Sequence, residues 1–337
     1  MVIADRDVGV SEALLRRDRW LDRASIHIQN PAQKESEALI KPFIKRVLIR
    51  LERVGSTVPR DWRLGLSDYE FMGAVVIVTV FCVGVYLLPA EIQDLLKVRH
   101  AVFNPFAYLT ASFVHGDAMH LAFNLAFFWL FGFLLYFVNS MIGRQRFFLY
   151  SLLVLFTVLP LMNYSLLFYF GIYRSVGFGF GLSLVDSGLI GLTVPSLIMY
   201  FRAKLDGFNS VLFLMSMGLL TFFFVFLVYL VSFRLVLLPF VVLVLGLFFG
   251  VFVFKKILSF LWRSLGRRET SVESYFLCLL FLFYFVSITS LFPAVIQSEG
   301  GITDIVSHYV GLLFGIIPFS LYTMLLSPSR SRADRYV

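Results

Sequence analysis

Runs of apolar residues, each about 20 long and separated by short polar segments, constrain this chain more than any other feature, because that length matches the hydrocarbon thickness of a bilayer. They fall near residues 70–89, 118–138, 147–169, 178–201, 209–232, 235–257, 274–296 and 305–326. Composition agrees with insertion in a membrane: of 337 residues 59% are hydrophobic, 40 are Phe and only 15% are charged, which excludes an ordinary soluble domain. The expected fold class is therefore an all-α polytopic membrane protein, a helical bundle of about eight transmembrane helices. The boundary between the fifth and sixth runs rests on Ser232-Phe233-Arg234 inside a near-continuous apolar stretch from Val211 to Phe254. Residues 1–68 form a basic cytosolic extension, 69–327 the membrane domain and 328–337 a cytosolic tail.

Charge orients the spans. With the N-terminus inside, 25 of the 29 Lys and Arg residues fall on the inner side, and only Lys97, Arg99, Arg174 and Arg234 fall outside. That bias predicts N-in and C-in topology, with the second, fourth and eighth spans entering from the outside. The net charge of +8 thus reflects the bilayer, not nucleic acid. Within the extension, Ala38 to Gly55 alternates apolar and basic residues at helical spacing. A helix on an anionic membrane surface has that pattern, and so has an amphipathic segment packed on the protein. The first thirty residues hold no apolar run with a small-residue cleavage site, so the first span is expected to act as the signal. Cys82 and Cys278 lie inside apolar spans and supply neither a disulfide nor a metal framework. No HExxH or Asp-rich helix pair is present, and neither a metal nor another cofactor is expected. Oligomeric state is not legible. The expected location is the plasma membrane of a prokaryote.

Three stretches carry polar residues that are costly in hydrocarbon unless they have partners or water. In Phe103–Gly132, an extended lead-in reaches a turn at Gly116-Asp117 and then an apolar helix carrying His120 and Asn124 on one face, with His115 just before it. Asp117 is the expected N-cap, which puts His120 in the first turn. In the fourth span, a glycine-rich approach leads to Gly181-Leu182-Ser183, followed by Gly188 and Gly191. The eighth span opens with Thr303 or Asp304 as N-cap and His308 about one turn in. Gly311 and Gly315 share its face, so another backbone can approach closely. His120, Ser183 and His308 each lie near the start of a span entering from the same side, which places them at a similar shallow depth.

Taken together, His115, His120 and Asn124 followed by Phe-Trp and Leu-Phe-Gly, the Gly181-Leu182-Ser183 helix, and His308-x-x-Gly311-x-x-x-Gly315 resemble the rhomboid family of intramembrane serine proteases over roughly residues 103–320. The resemblance implies a rhomboid-like bundle with Ser183 as nucleophile and His308 as general base, a dyad with no orienting acid. His120, Asn124 and the backbone N–H of Ser183 would hold the oxyanion, while His115 supports the lead-in loop. Ser187 is the alternative nucleophile: it matches the family's Ser-Gly pair but loses the preceding glycine and the later glycine spacing. The implied substrates are transmembrane helices of other membrane proteins, reached laterally from lipid and unwound near their outer ends.

The chain departs from the family pattern in several places. Two more spans separate the Ser and His helices than a six-helix core has. Phe106-Ala107 stands where the family has Trp-Arg, Leu184 follows the serine in place of glycine, and Ser187 replaces an aromatic one turn below it. These departures motivate a second expectation, an inactive rhomboid-like protein that binds transmembrane helices. Asp186 is unexpected, since a charged Asp at mid-helix costs about 2.5–3.5 kcal/mol on insertion scales. It should face protein or water, with Ser187 or His308 among the partners it could reach. A third expectation, an ion-coupled transporter using Asp186 as a proton site, requires inverted repeats, and the sequence shows none.

Overall fold

A computed structural model describes residues 66–99, 102–169, 178–179, 181–233, 237–265, 271–291, 297–298, 301–302 and 305–325. All of them belong to the second of two units into which the chain divides, Leu64–Val337. The basic stretch Ala38 to Gly55, the Thr303 and Asp304 cap and the C-terminal tail lie outside the described residues.

The described chain is overwhelmingly helical. Its long helices are α1 (Leu66–Tyr86), α4 (Ala118–Ser140), α5 (Gln145–Tyr169), α6 (Ser183–Lys204), α7 (Ser210–Phe233), α8 (Leu237–Leu265), α9 (Ser271–Leu291) and α10 (Ile305–Leu325). Among the described residues, six helices are long and apolar enough to cross a membrane, all of these except α7 and α8. A seventh is reached if the two halves of α8, Val242–Val251 and Val253–Ser264, count as one bent span. A multi-pass membrane protein follows from these lengths. Helix α1 begins at Leu66, and its Asp68 accepts a hydrogen bond from Tyr136 OH of α4 at 2.5 Å.

The lead-in to α4 corrects the expectation of an extended chain. After α2 (Ala90–Leu96), residues Pro105–Thr110 form α3, and Ala111–Phe113 continue as one 3₁₀ turn. Asn104 caps α3 by accepting the Ala107 N–H at 3.3 Å, and Pro105 occupies its first turn, where a missing N–H costs nothing. Two short strands, β1 (Val98–Arg99) and β2 (Phe178–Gly179), then pair antiparallel, with Val98 opposite Gly179. A second two-residue pair, β3 (Gln297–Ser298) with β4 (Gly301–Ile302), precedes α10.

Helix α6 is the hub. Every residue from Leu184 to Phe201 is buried, so it has no polar face and no lipid face, as a helix surrounded by protein requires. Side-chain bonds tie the neighbours together. Asn139 Nδ2 of α4 donates to Ser196 Oγ at 3.0 Å, and Asn163 Nδ2 of α5 donates to Ser307 Oγ of α10 at 2.8 Å. Tyr200 OH donates to Glu273 of α9 at 2.9 Å, and Arg202 donates to the Thr323 carbonyl of α10 at 2.6 Å. Bonds of this kind contribute roughly 1 kcal/mol or less each in a bilayer, so they fix register more than they hold the bundle together.

Candidate active site

The first part of the site is the N-terminus of α4. Asp117 caps it, Oδ1 accepting the His120 N–H at 2.8 Å, and this bond to the charged form holds the Asp117 carboxyl below its usual range. Just upstream, His115 Nδ1 lies 3.2 Å from the Phe113 carbonyl. A carbonyl only accepts, so the proton is on Nδ1 and Nε2 is the basic nitrogen. That Nε2 is buried and without a hydrogen-bond partner among the described residues, and the ring meets His120 edge-on at 5.2 Å.

Burial first, and the neighbouring His120 second, push His115 from its ordinary 6.5 down to about 4. Unfolded chain therefore binds a proton between these values that the fold does not, and stability falls as pH drops from about 6.5 toward 4. The thermal transition of the detergent-purified protein is expected to fall across that window, and His115→Gln to flatten the slope. Equal slopes in the two proteins would remove His115 as its source.

The second part is Gly181, which joins β2 to α6. Its φ of +111° is a backbone conformation that side chains disfavour, and a Cβ there would lie 3.1 Å from His120 Cε1 and 3.6 Å from Asn124 Nδ2. Its N–H donates to the Ala111 carbonyl at 2.9 Å, tying the serine approach to the lead-in turn. His120 and Asn124 thus converge on the peptide two residues before Ser183. Asn124 is buried, and its Nδ2 has no hydrogen-bond partner among the described residues. Ser183 is half-buried and is the first residue of α6, where backbone N–H groups have no intrahelical acceptor. Amide donors and a positive dipole end therefore face the same mouth.

The third part is the seam between α6 and α10, which run parallel. A Cβ on Gly311 would lie 2.9 Å from Ser187 Cβ, and one on Gly315 would overlap the Gly188 carbonyl and lie 2.8 Å from the Leu192 nitrogen. Gly191 in turn meets the Leu312 carbonyl and Gly315. Carried back one turn, this register sets His308 level with the first turn of α6, where Ser183 stands. His308 is buried and its Nδ1 lies 2.7 Å from the Leu291 carbonyl at the end of α9. The bond fixes the proton on Nδ1 and makes Nε2 the basic nitrogen, the tautomer a general base needs.

Ser187, the alternative nucleophile, is fully buried and donates to the Ser183 carbonyl at 2.6 Å, so its hydroxyl is committed to its own helix. Asp186 is buried too. Of the partners within its reach neither Ser187 nor His308 bonds to it, and neither of its oxygens has a hydrogen-bond partner among the described residues.

Motif reading missed three backbone contributions: the β1–β2 pairing, the Ala111 carbonyl and the Leu291 carbonyl. Side-chain patterns cannot announce a carbonyl, although Asn104-Pro105 does signal the helical lead-in. Among the described residues, no group of three or more His, Cys, Asp and Glu side chains converges where a metal could sit. Comparison with protein-family models, with curated proteins and with solved structures finds no match.

Proposed function

We propose that the chain is a rhomboid-type intramembrane serine protease, with eight spans and both termini inside, that hydrolyses peptide bonds near the outer ends of transmembrane helices. The observation that carries this reading is the convergence of the His120 ring and the unpartnered Asn124 amide on Gly181, two residues ahead of Ser183. An unpartnered buried amide is costly in a resting protein and useful where negative charge develops during reaction.

In this mechanism Ser183 Oγ attacks the scissile carbonyl carbon as His308 Nε2 takes the hydroxyl proton. The tetrahedral oxyanion is held by Asn124 Nδ2, the His120 ring and the Ser183 N–H. Collapse expels the amine, which receives the proton from His308, and leaves an acyl-serine. Water, deprotonated by His308, then frees the carboxylate product and regenerates Ser183. The Leu291 carbonyl stabilises the imidazolium that forms in each half, a task for which no orienting acid is required. The substrate segment must be extended to be attacked, so Gly, Pro or polar residues near the outer end of its helix favour cleavage.

Asn124→Ala is the direct test of the oxyanion role. Reporter cleavage should fall about 100- to 1,000-fold in kcat, the loss associated with one oxyanion donor, with KM little changed. A loss confined to KM would reassign Asn124 to substrate binding. The alternative, a rhomboid-like protein that binds transmembrane helices without cutting them, draws on Leu184 after the serine and on Ser187 where an aromatic would pack the histidine. It predicts reporter binding with no cleavage at any enzyme concentration.

A further inference from the structure

Helix α8 is 29 residues long, where about 20 suffice to cross the hydrocarbon, and its halves Val242–Val251 and Val253–Ser264 meet at a bend of 59°. Its far end is fixed relative to the bundle. Lys256 Nζ donates to the Gly207 carbonyl at 2.8 Å, just past the last residue of α6, Lys204. The same end carries Glu273 of α9, 3.3 Å from Lys204, and Thr323 of α10, and it lies opposite the Ser183 mouth. Phe260 of the second half meets the Tyr200 ring of α6 at 6.4 Å, so this half runs along that end of the bundle.

This segment has three faces. Val253, Ile257, Leu261 and Ser264 recur at helical spacing and are buried against the protein. On the other side Leu258 is 63% and Trp262 81% exposed, a large apolar area for a segment at the end of the bundle. Alongside them, Lys255 and Arg263 are exposed on an adjoining arc. Leu and Trp beside a basic stripe are the composition of a helix lying in the interface, its aromatic ring at headgroup depth and its cations among phosphates.

We infer that residues Lys255–Leu265 form an anionic-phospholipid docking surface, with Trp262 and Leu258 inserted between acyl chains and Lys255 and Arg263 paired with headgroup phosphates. Nothing in the proposed protease chemistry uses these residues, and the inference stands whether or not the chain cleaves peptides.

The test uses the full chain with Trp20, Trp62 and Trp129 changed to Phe, leaving Trp262 as the reporter. It is reconstituted in vesicles of phosphatidylcholine with 30% phosphatidylglycerol, in which bromine is carried on the acyl chains of one lipid at a time at matched mole fraction. Brominated phosphatidylglycerol should quench Trp262 about twofold or more beyond brominated phosphatidylcholine, since each basic residue near the surface attracts anionic lipid. Lys255→Gln with Arg263→Gln should bring that ratio to one while quenching persists. Equal quenching by both lipids before that substitution would overturn the charge preference, and absence of quenching by either would show that Trp262 does not enter the bilayer. A ratio unchanged in the double variant would move the docking charges elsewhere.

Discussion

Ser183→Ala is expected to abolish cleavage of a single-pass membrane reporter while leaving the thermal transition of the purified protein unchanged. In serine hydrolases, loss of the nucleophile removes roughly 10⁶ in kcat because the dyad acts as a unit, and His308→Ala should cost about as much. The fold should not notice. Ser183 is a half-buried first residue, and the bond it makes with Ser187 uses its carbonyl, which alanine keeps. Ser187→Ala should retain activity, because that hydroxyl already donates to the Ser183 carbonyl. Full cleavage by the Ser183 variant would remove the nucleophile from this position, and loss with Ser187 alone would move the site one turn deeper.

Gly315→Leu should be the most damaging change outside the dyad. A Cβ there overlaps the Gly188 carbonyl and crowds the Leu192 nitrogen, both backbone atoms of a helix buried on all sides. Overpacking against flexible side chains costs ~1–3 kcal/mol, and against backbone the strain has no inexpensive release, so the loss should exceed that range. The expected readout is loss of a monodisperse peak on size exclusion and a collapse of the thermal transition. Activity should go with it, since the same seam sets the level of His308. Gly84→Leu is the control: a Cβ there meets nothing within 4 Å, and the variant should behave as wild type. Equal tolerance of both substitutions would contradict the close approach of α6 and α10.

Much of this was legible in the sequence because it depends on periodicity and capping. Asp117 caps α4 as its position before the apolar run implies, and six of the apolar runs meet helices long and apolar enough to cross a membrane, while the run at 235–257 meets a bent helix that continues to Leu265. The glycines at 311 and 315 announce the seam by their spacing, and the contacts with Gly188 and Gly191 follow from it. The lead-in reads as extended because its apolar residues overshadow Asn104-Pro105, a cap followed by a first-turn proline. Depth of burial was also illegible. Nothing in the composition of α6, which carries Asp186, Ser187, Thr193 and two arginine or lysine residues at its end, distinguishes a hub from a peripheral span until its neighbours are known. Asp186 illustrates the same limit, because a lone sequence names candidate partners for a carboxyl and only packing shows that none of those described bonds to it.

Covalent labelling by a fluorophosphonate probe tests the central claim most directly, since it needs an activated serine and no knowledge of the substrate. Wild type, Ser183→Ala, Ser187→Ala and His308→Ala are labelled side by side in detergent, with the thermal transition of each confirming a folded protein. Labelling that is present in wild type and Ser187→Ala, and lost in Ser183→Ala and His308→Ala, is the predicted result. A folded wild type that does not label would contradict the protease account and leave the helix-binding alternative in its place.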